Sequence, residues 1–556
     1  MTRITLAKPA VGRLIAYILA SSMLAGPALA QDGAVDARIE ALEARIEALE
    51  AQNRQLMELL QRDDGTSVQA TPGVTSGGSA ASAAMGDLPP PEPTARPPAT
   101  AGMDAPPAPP VEAGDRERSG STAFVGLDPD YSFRILDVAE NVTTKPLIQL
   151  RTKQAGGLTD RITLSGGLTV IADYQFTDHS SKFGYLTRHP TATNQIGKHV
   201  SEAVIHSAQL AMTARLTDYL TGFFELLYDP EQSFGSGTLT DLNRNQIQLR
   251  RGWLLWGNLD KRPVYALIGK MDIPFGLNDT VSPFTTSTNY HAFAGLAYGA
   301  QLGYFANGLH LRAMAVQGGA QFRSANTPVG TTAVPSRLNN FALDANYTLS
   351  FWGEDSVMVG ASYQHGTAYC QPYPVFHFTA CPDNVPAVAA YARARLGGLT
   401  LLGEYAQTTK VWPGTAVPEV DPRLGGFVTP PQVVWAVAPN PLSVYGPVKP
   451  KSFTIGGRYE FGGKIYSPQS RRNALSLEFS RFISGADGSP WEGQSQTVLG
   501  FSHFLSPSIN LFGELIYVDG FVPLNFLSGG NFADGSTWSD QSVDTGVILI
   551  GAQAAF

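Results

Sequence analysis

Through the long C-terminal part of the chain, from about residue 161 to Phe556, the charged side chains with chemical potential stand one at a time inside apolar segments. Arg215, Glu225, Arg250, Arg312, Asp344, Arg393, Arg395, Glu404, Arg458, Glu460, Glu478 and Glu514, together with Asp173, fall on the polar positions of stretches in which every second residue is apolar. A period of two places such residues on one face of a β-strand. The set holds six arginines and seven carboxylates. Its mixed sign suits ion pairs across neighbouring strands, or a mixed field along a wet surface, and not a one-sign ladder. Nucleophilic chemistry has no comparable signal. There is no Gly-x-Ser-x-Gly context or His-Glu-x-x-His run, and His206, His310 and His503 stand isolated on strands. The chain therefore reads as a non-enzyme with no cofactor and no metal site.

The elements that carry these charges are sixteen candidate strands. They are expected to start near residues 161, 203, 219, 246, 263, 298, 308, 339, 356, 387, 398, 452, 473, 495, 508 and 542. Connections alternate in length. Short ones at Thr217-Asp218, Asn258 to Pro263, Ala306-Asn307-Gly308, Gly353-Glu354-Asp355, Gly397-Gly398 and Leu505-Ser506-Pro507 use ordinary hairpin chemistry. Long ones fall at 179–202, 230–245, 272–297, 318–338, 367–386, 410–450 and 519–541. Even strand number, alternation and loops sorted by length predict an all-β fold, a 16-stranded antiparallel transmembrane β-barrel. In 203–216 the lipid set would be Val204, Ala208, Leu210, Met212, Ala214 and Leu216, which turns Gln209, Thr213 and Arg215 inward. A charge on the lipid face would cost about 2–4 kcal/mol at the midplane, so the charged residues above become candidates to line a pore. The insert 272–297 is long enough to fold inward as a constriction. On the last strand Ile548, Ile550, Ala552, Ala554 and Phe556 share one face, in the manner of the terminal signal of outer-membrane barrels.

The preceding residues divide by composition. Residues 1–30 read as a signal peptide, with basic Arg3, Lys8 and Arg13, an apolar stretch and Ala28-Leu29-Ala30 before Gln31. Residues 31–62 read as a periplasmic coiled coil whose core is Ile39, Leu42, Ile46, Leu49, Asn53 and Leu56. Ile at a with Leu at d leans to two strands, whereas porin barrels usually form trimers; a homotrimer is expected, with a single solvated helix as the alternative. Residues 63–122 are a Pro/Ala/Gly-rich disordered linker, and 123–556 the outer-membrane barrel. Cys370 and Cys381 lie in one long connection, and a local disulfide is favoured over free thiols or a metal pair. The net charge of -8 argues against nucleic acid as a partner.

One stretch carries a resemblance. In residues 250–285 the run Gly257, Asn258, Leu259, Asp260, Pro263, Tyr265, Gly269, Pro274, Phe275 and Gly276 resembles the LbtU-type siderophore porin family. The order of signal, coiled coil, linker and barrel is similar to that of DcaP-like porins. The resemblance implies passive uptake of a small solute, with iron-siderophore or small anionic compounds as candidates, and identifies no binding residue. Expected partners are outer-membrane lipid and further copies of the chain, with peptidoglycan contact in reach of the linker. The competing reading is a structural or adhesive barrel tying membrane to cell wall. A TonB-dependent receptor would need a folded plug and a barrel of about 22 strands.

Overall fold

The computed structural model describes residues 124–180, 182–188, 197–228, 247–317, 338–351, 355–369, 384–412, 446–465, 471–489, 492–524 and 542–556. The signal peptide, the coiled coil, the linker and the cysteine pair lie outside the described residues.

The strands are β1 (Val125–Leu127), β2 (Ile162–Thr177), β3 (His199–Arg215), β4 (Leu220–Tyr228), β5 (Ile247–Gly257), β6 (Val264–Asp272), β7 (Leu296–Ala306), β8 (Leu309–Val316), β9 (Asn340–Ser350), β10 (Ser356–Gln364), β11 (Ala387–Leu396), β12 (Leu399–Thr408), β13 (Lys451–Lys464), β14 (Arg471–Ile483), β15 (Gly493–Ser506), β16 (Ile509–Gly520) and β17 (Val543–Ala555). Each of β2 to β17 pairs antiparallel with the next, and β17 pairs antiparallel with β2. The result is a closed 16-stranded antiparallel β-barrel with no free edge. The strand starts follow the alternation closely; the largest difference is β3, expected near 203 and beginning at His199.

The seam between β17 and β2 runs from Thr545↔Thr177 to Ala555↔Gly167, and Phe556 extends it by one pair. Phe556 donates its N–H to Gly166 O (3.0 Å) and accepts from Gly166 N (2.9 Å). Gly166 has no side chain because the Phe556 ring fills that place: a Cβ there would lie 2.1 Å from a ring carbon.

The outward face is apolar. Leu168, Ile205, Leu210, Leu254, Ile268, Leu302, Val359, Ile455, Leu477, Leu515, Ile548 and Ile550 are all exposed. Among the described residues no helix is long and apolar enough to cross a membrane. The inward positions are buried because the lumen is filled by two elements.

The first is a helix pair before the barrel, α1 (Pro129–Leu136) and α2 (Lys145–Gln154). Asp128 caps α1, its side chain accepting from Tyr131 N at 3.1 Å, and Pro129 stands at the first position. Tyr131, Phe133, Ile135 and Leu136 form the buried side of α1, which packs on β2 and β17. Strand β1 lies parallel on the start of β2. The second element is the insert between β6 and β7, which folds inward and carries α3 (Thr288–Phe293).

Two bulges correct the face assignment. On β3, Ser207 pairs Thr169 and Ile205 pairs Val170, so His206 is an extra residue. One extra residue reverses every side chain beyond it. Val204, expected towards lipid, therefore packs inside against the cluster of Ile171, Tyr185 and Phe284, and Ile205 faces out, 48% exposed. On β5 the register skips Arg250 between Glu225↔Arg251 and Leu226↔Leu249. Both arginines are thereby buried, Arg250 as expected and Arg251 against simple alternation.

Candidate functional site in the barrel interior

The insert is held by three wall carboxylates on alternate strands. Glu404 on β12 accepts from Leu277 N (3.0 Å) and Asn278 N (2.9 Å). Glu478 on β14 accepts from Val281 N (2.9 Å) and Thr280 Oγ1 (2.7 Å). Glu514 on β16 accepts from Phe284 N (2.9 Å) and Thr285 N (3.0 Å). The insert thus climbs round the wall, offering a fresh pair of donors to every second strand. Charge-assisted bonds from carboxylate to backbone N–H are among the stronger kind. Gly276 shows why the first grip is close: it has φ +67°, and a Cβ there would fall 2.1 Å from Glu404 Oε1.

The helix pair is held otherwise. Its apolar side rests on the wall, with Phe133 against Phe504 at 5.4 Å between ring centroids. Single polar contacts add to this: Tyr131 OH with Thr213 Oγ1 (2.8 Å), Ser132 Oγ to Ser165 Oγ (2.8 Å) and Trp253 Nε1 to Gln149 Oε1 (3.0 Å). Lys145 Nζ donates to the carbonyls of Arg134, Asp137 and Glu140, tying the end of α1 to the start of α2. The turn between the helices touches the insert, where Val142 N donates to Asp279 Oδ1 (3.0 Å) and Thr143 Oγ1 to Gly276 O (3.1 Å).

Arginines gather beneath that turn. Arg458 Nη1 lies 2.5 Å from Glu140 Oε1 and its Nη2 lies 3.2 Å from Glu460 Oε1. Arg395 Nη2 lies 3.7 Å from Glu140 Oε2. Arg393 Nη1 lies 3.1 Å from Asp279 Oδ2. Burial by itself would raise the Glu140 carboxyl, but Arg458, Arg395 and Arg393 overcome it and hold it down at about 2. Burial pushes Asp137 up to about 6, against the pull of Lys145 and, more weakly, Arg458.

The remaining candidates form two separate pairings. Arg312 grips Asp344 (Nη2 to Oδ2, 2.8 Å) and donates to Thr143 O; Asp344 also accepts from Tyr391 OH (2.6 Å) and Ser362 Oγ (2.7 Å). Arg251 bridges Glu225 (2.9 Å) and Asp272 (2.6 Å). Arg250 approaches Tyr290 OH at 3.5 Å. Asp173 accepts from Gln175 Nε2 at 3.2 Å, and Arg215 lies half-buried at the end of β3. The isolated histidines meet neighbours on the wall or insert: His310 Nε2 is 2.7 Å from Tyr265 OH, His503 Nδ1 is 2.7 Å from Asn473 Oδ1, and His206 meets the Phe284 ring edge-on.

Sequence reasoning missed Arg251, Asp272, Asp279 and Glu140. The helix pair did leave a trace, the Asp128-Pro129 cap and Pro146 at the head of the second helix. Arg251 left none, since a bulge has no residue signature here.

Several buried polar atoms have no protein hydrogen-bond partner among the described residues, including both side-chain atoms of Asn289, Gln494 Nε2, Gln496 Oε1 and Asn510 Oδ1. Buried polar groups are otherwise almost always paired, so these positions call for water.

No protein-family model matches the chain, and no curated protein matches it. The resemblance at residues 250–285 rests on its motif alone. Among solved structures, the chain is similar to an anion-selective porin from Comamonas acidovorans, with 13% identity over 71% of this chain and 99% of that one, at a TM-score of 0.40. It is similar also to OprB of Pseudomonas putida, with 10% identity over 71% and 94% and a TM-score of 0.42. OmpT, an outer membrane protein of Vibrio cholerae, matches with 11% identity over 71% and 98% and a TM-score of 0.38. The barrel rests on its own strand ladder, not on these likenesses.

Proposed function

We propose that the chain is an outer-membrane porin, giving passive, TonB-independent passage to small hydrophilic solutes. The observation that carries this reading is the inversion of polarity: an apolar outer belt around a lumen lined by charge. That pattern suits a barrel with lipid outside and water within. Strand number supports it as well. Eight strands enclose only their own side chains, whereas sixteen leave an aqueous bore. Sixteen is also well short of the about 22 strands of an energised receptor. Both ends of the described barrel emerge on the side of the short turns, which supports placing residues 31–122 in the periplasm. The heptads at 31–62 support self-association; a homotrimer follows the usual assembly of porin barrels, against the lean of Ile at a and Leu at d to two strands. Small anions are the solute class favoured by the arginines around Glu140, and the motif at 250–285 adds iron-siderophore complexes as candidates.

Planar-bilayer recording of the refolded full chain tests this, with a panel of salts, sugars and ferric chelates. Discrete conductance steps are expected. A folded, membrane-inserted barrel that passes no current and swells no liposomes would overturn the reading.

A further inference from the structure

We propose that the helix pair 128–155 is a tethered stopper, and that Arg393, Arg395 and Arg458 form the anion socket in which its Glu140 carboxylate seats. The inference rests on the channel reading above and goes beyond it, because it assigns a closed state and the contact that holds it.

Charge counting points to the socket. The wall contributes three guanidinium groups, on β11 and β13. Two fixed carboxylates face them: Asp279 of the insert, 3.1 Å from Arg393, and Glu460 of the wall, 3.2 Å from Arg458. The third negative charge is Glu140, and it belongs to the stopper. With the stopper seated the three ion-paired carboxylates match the three guanidinium groups, and Asp137 of the stopper, on which Arg458 also acts, is met by Lys145. With it withdrawn, one positive charge is left over on the wall, in a place shaped for a carboxylate.

Attachment points to mobility. The insert is continuous with the wall at both ends, at β6 and β7. The helix pair is continuous with the wall only at β2; before it, β1 contributes three paired residues. The seam beside Glu140 has mixed polar and apolar walls and is not closely packed. A cavity of about 40 Å³ opens there between Phe133 and Glu140 on one side and Arg458, Ser476, Asn510 and Gln553 on the other. The Arg395 side chain is 44% exposed, so dissolved anions have access to the socket. Arg395 gives a solute anion its approach, while Arg458 and Glu140, 12% and 15% exposed, hold the tight contact that the anion must displace.

The test uses the full chain in planar bilayers. Glu140→Gln keeps the shape and removes the charge. It should raise mean current at least about tenfold, the scale of losing one charge-assisted contact, and in a KCl gradient it should move the reversal potential towards the anion. As an independent handle, Ser132→Cys with Ser165→Cys places two thiols where the hydroxyl oxygens are 2.8 Å apart, on α1 and β2. Oxidation should hold this variant at the low-current level and reductant should release it. The unmodified chain under the same reductant is the control, since Cys370 and Cys381 are present in both. If the unmodified chain conducts while Glu140→Gln and the locked variant match it in current and reversal potential, the stopper is refuted and the channel stands. Silence of every form, the reduced and Glu140→Gln forms included, refutes the channel reading and the stopper with it.

Discussion

The insert and the helix pair fill the same lumen by opposite means. The insert offers its backbone N–H groups to Glu404, Glu478 and Glu514, one wall carboxylate after another. A backbone donor cannot rotate away as a side chain can, and the two ends of the insert are fixed in neighbouring strands. The helix pair offers side chains: a tyrosine hydroxyl, a serine, a glutamate and an apolar face. Its grip can be released contact by contact. A wall that holds one filler chiefly by its main-chain N–H groups and the other chiefly by side chains, with the Arg312 bond to Thr143 O as the exception, distinguishes a permanent narrowing from a removable one.

Deleting residues 124–157 should break the comparison most openly. Single-channel conductance is expected to rise severalfold, while the strands keep their ladder and the insert keeps its amide protection. Conductance unchanged by the deletion would mean that the insert alone sets the bore. Glu404→Ala attacks the other member. It leaves two buried amides without an acceptor, at about 1–3 kcal/mol each. Hydrogen exchange at Leu277 and Asn278 should quicken roughly ten- to a hundredfold, with α1 and α2 unaffected. Equal loosening of both elements would show that they form one unit.

Acidity sharpens the contrast, because only the helix pair carries carboxyls moved in opposite directions. Glu140 is held at about 2 when seated, by Arg458, Arg395 and Arg393 against the effect of burial. Its contribution to seating is complete above the ordinary glutamate range and is lost as pH falls towards 2. Asp137 is raised to about 6, by burial against the pull of Lys145. Its contribution is present at low pH and is lost as pH rises through 6. Asp279, beside both Arg393 and Val142 N, is raised by burial and acts in the same sense as Asp137. Seating is therefore expected to be firmest near pH ~4, where the gain from Glu140 levels off and the loss from Asp137 begins. Mean current recorded from pH 3 to 8 should pass through a minimum there; a monotonic profile would contradict the pairing of Glu140 with the arginines. The smallest effect is reserved for Tyr131→Phe. Losing its bond to Thr213 should weaken seating by about 0.5–1.5 kcal/mol, visible as a modest rise in open time.

The wall was legible in the sequence because lipid and water impose a period of two that survives without any partner being known. Strand starts, loop lengths and the shared face of Ile548, Ile550, Ala552, Ala554 and Phe556 followed from it, with Ala552 half-buried and the other four exposed. The inward insert at 272–297 could be anticipated from its length. What alternation cannot encode is a slip of one residue, so Val204 is given the wrong face by a register that His206 interrupts, and Arg251 goes unnoticed beside Arg250. Nor does it encode company. Nothing near Arg395 or Arg458 in the chain announces Glu140, because the pairing depends on a helix turn delivered across the lumen. Two helices of eight and ten residues are also too short for their period to stand out beside sixteen strands.

The stitch between Gly166 and Phe556 has a consequence for how the molecule is made. β2 finds its second wall neighbour only in β17, the wall strand furthest from it in chain order, so until those two meet each keeps an unpaired edge. Loop closure over nearly the whole wall is paid at the end, which makes late closure slow and the waiting edge open to wrong partners. Substitutions along the seam between β2 and β17 would therefore act on assembly before they act on stability.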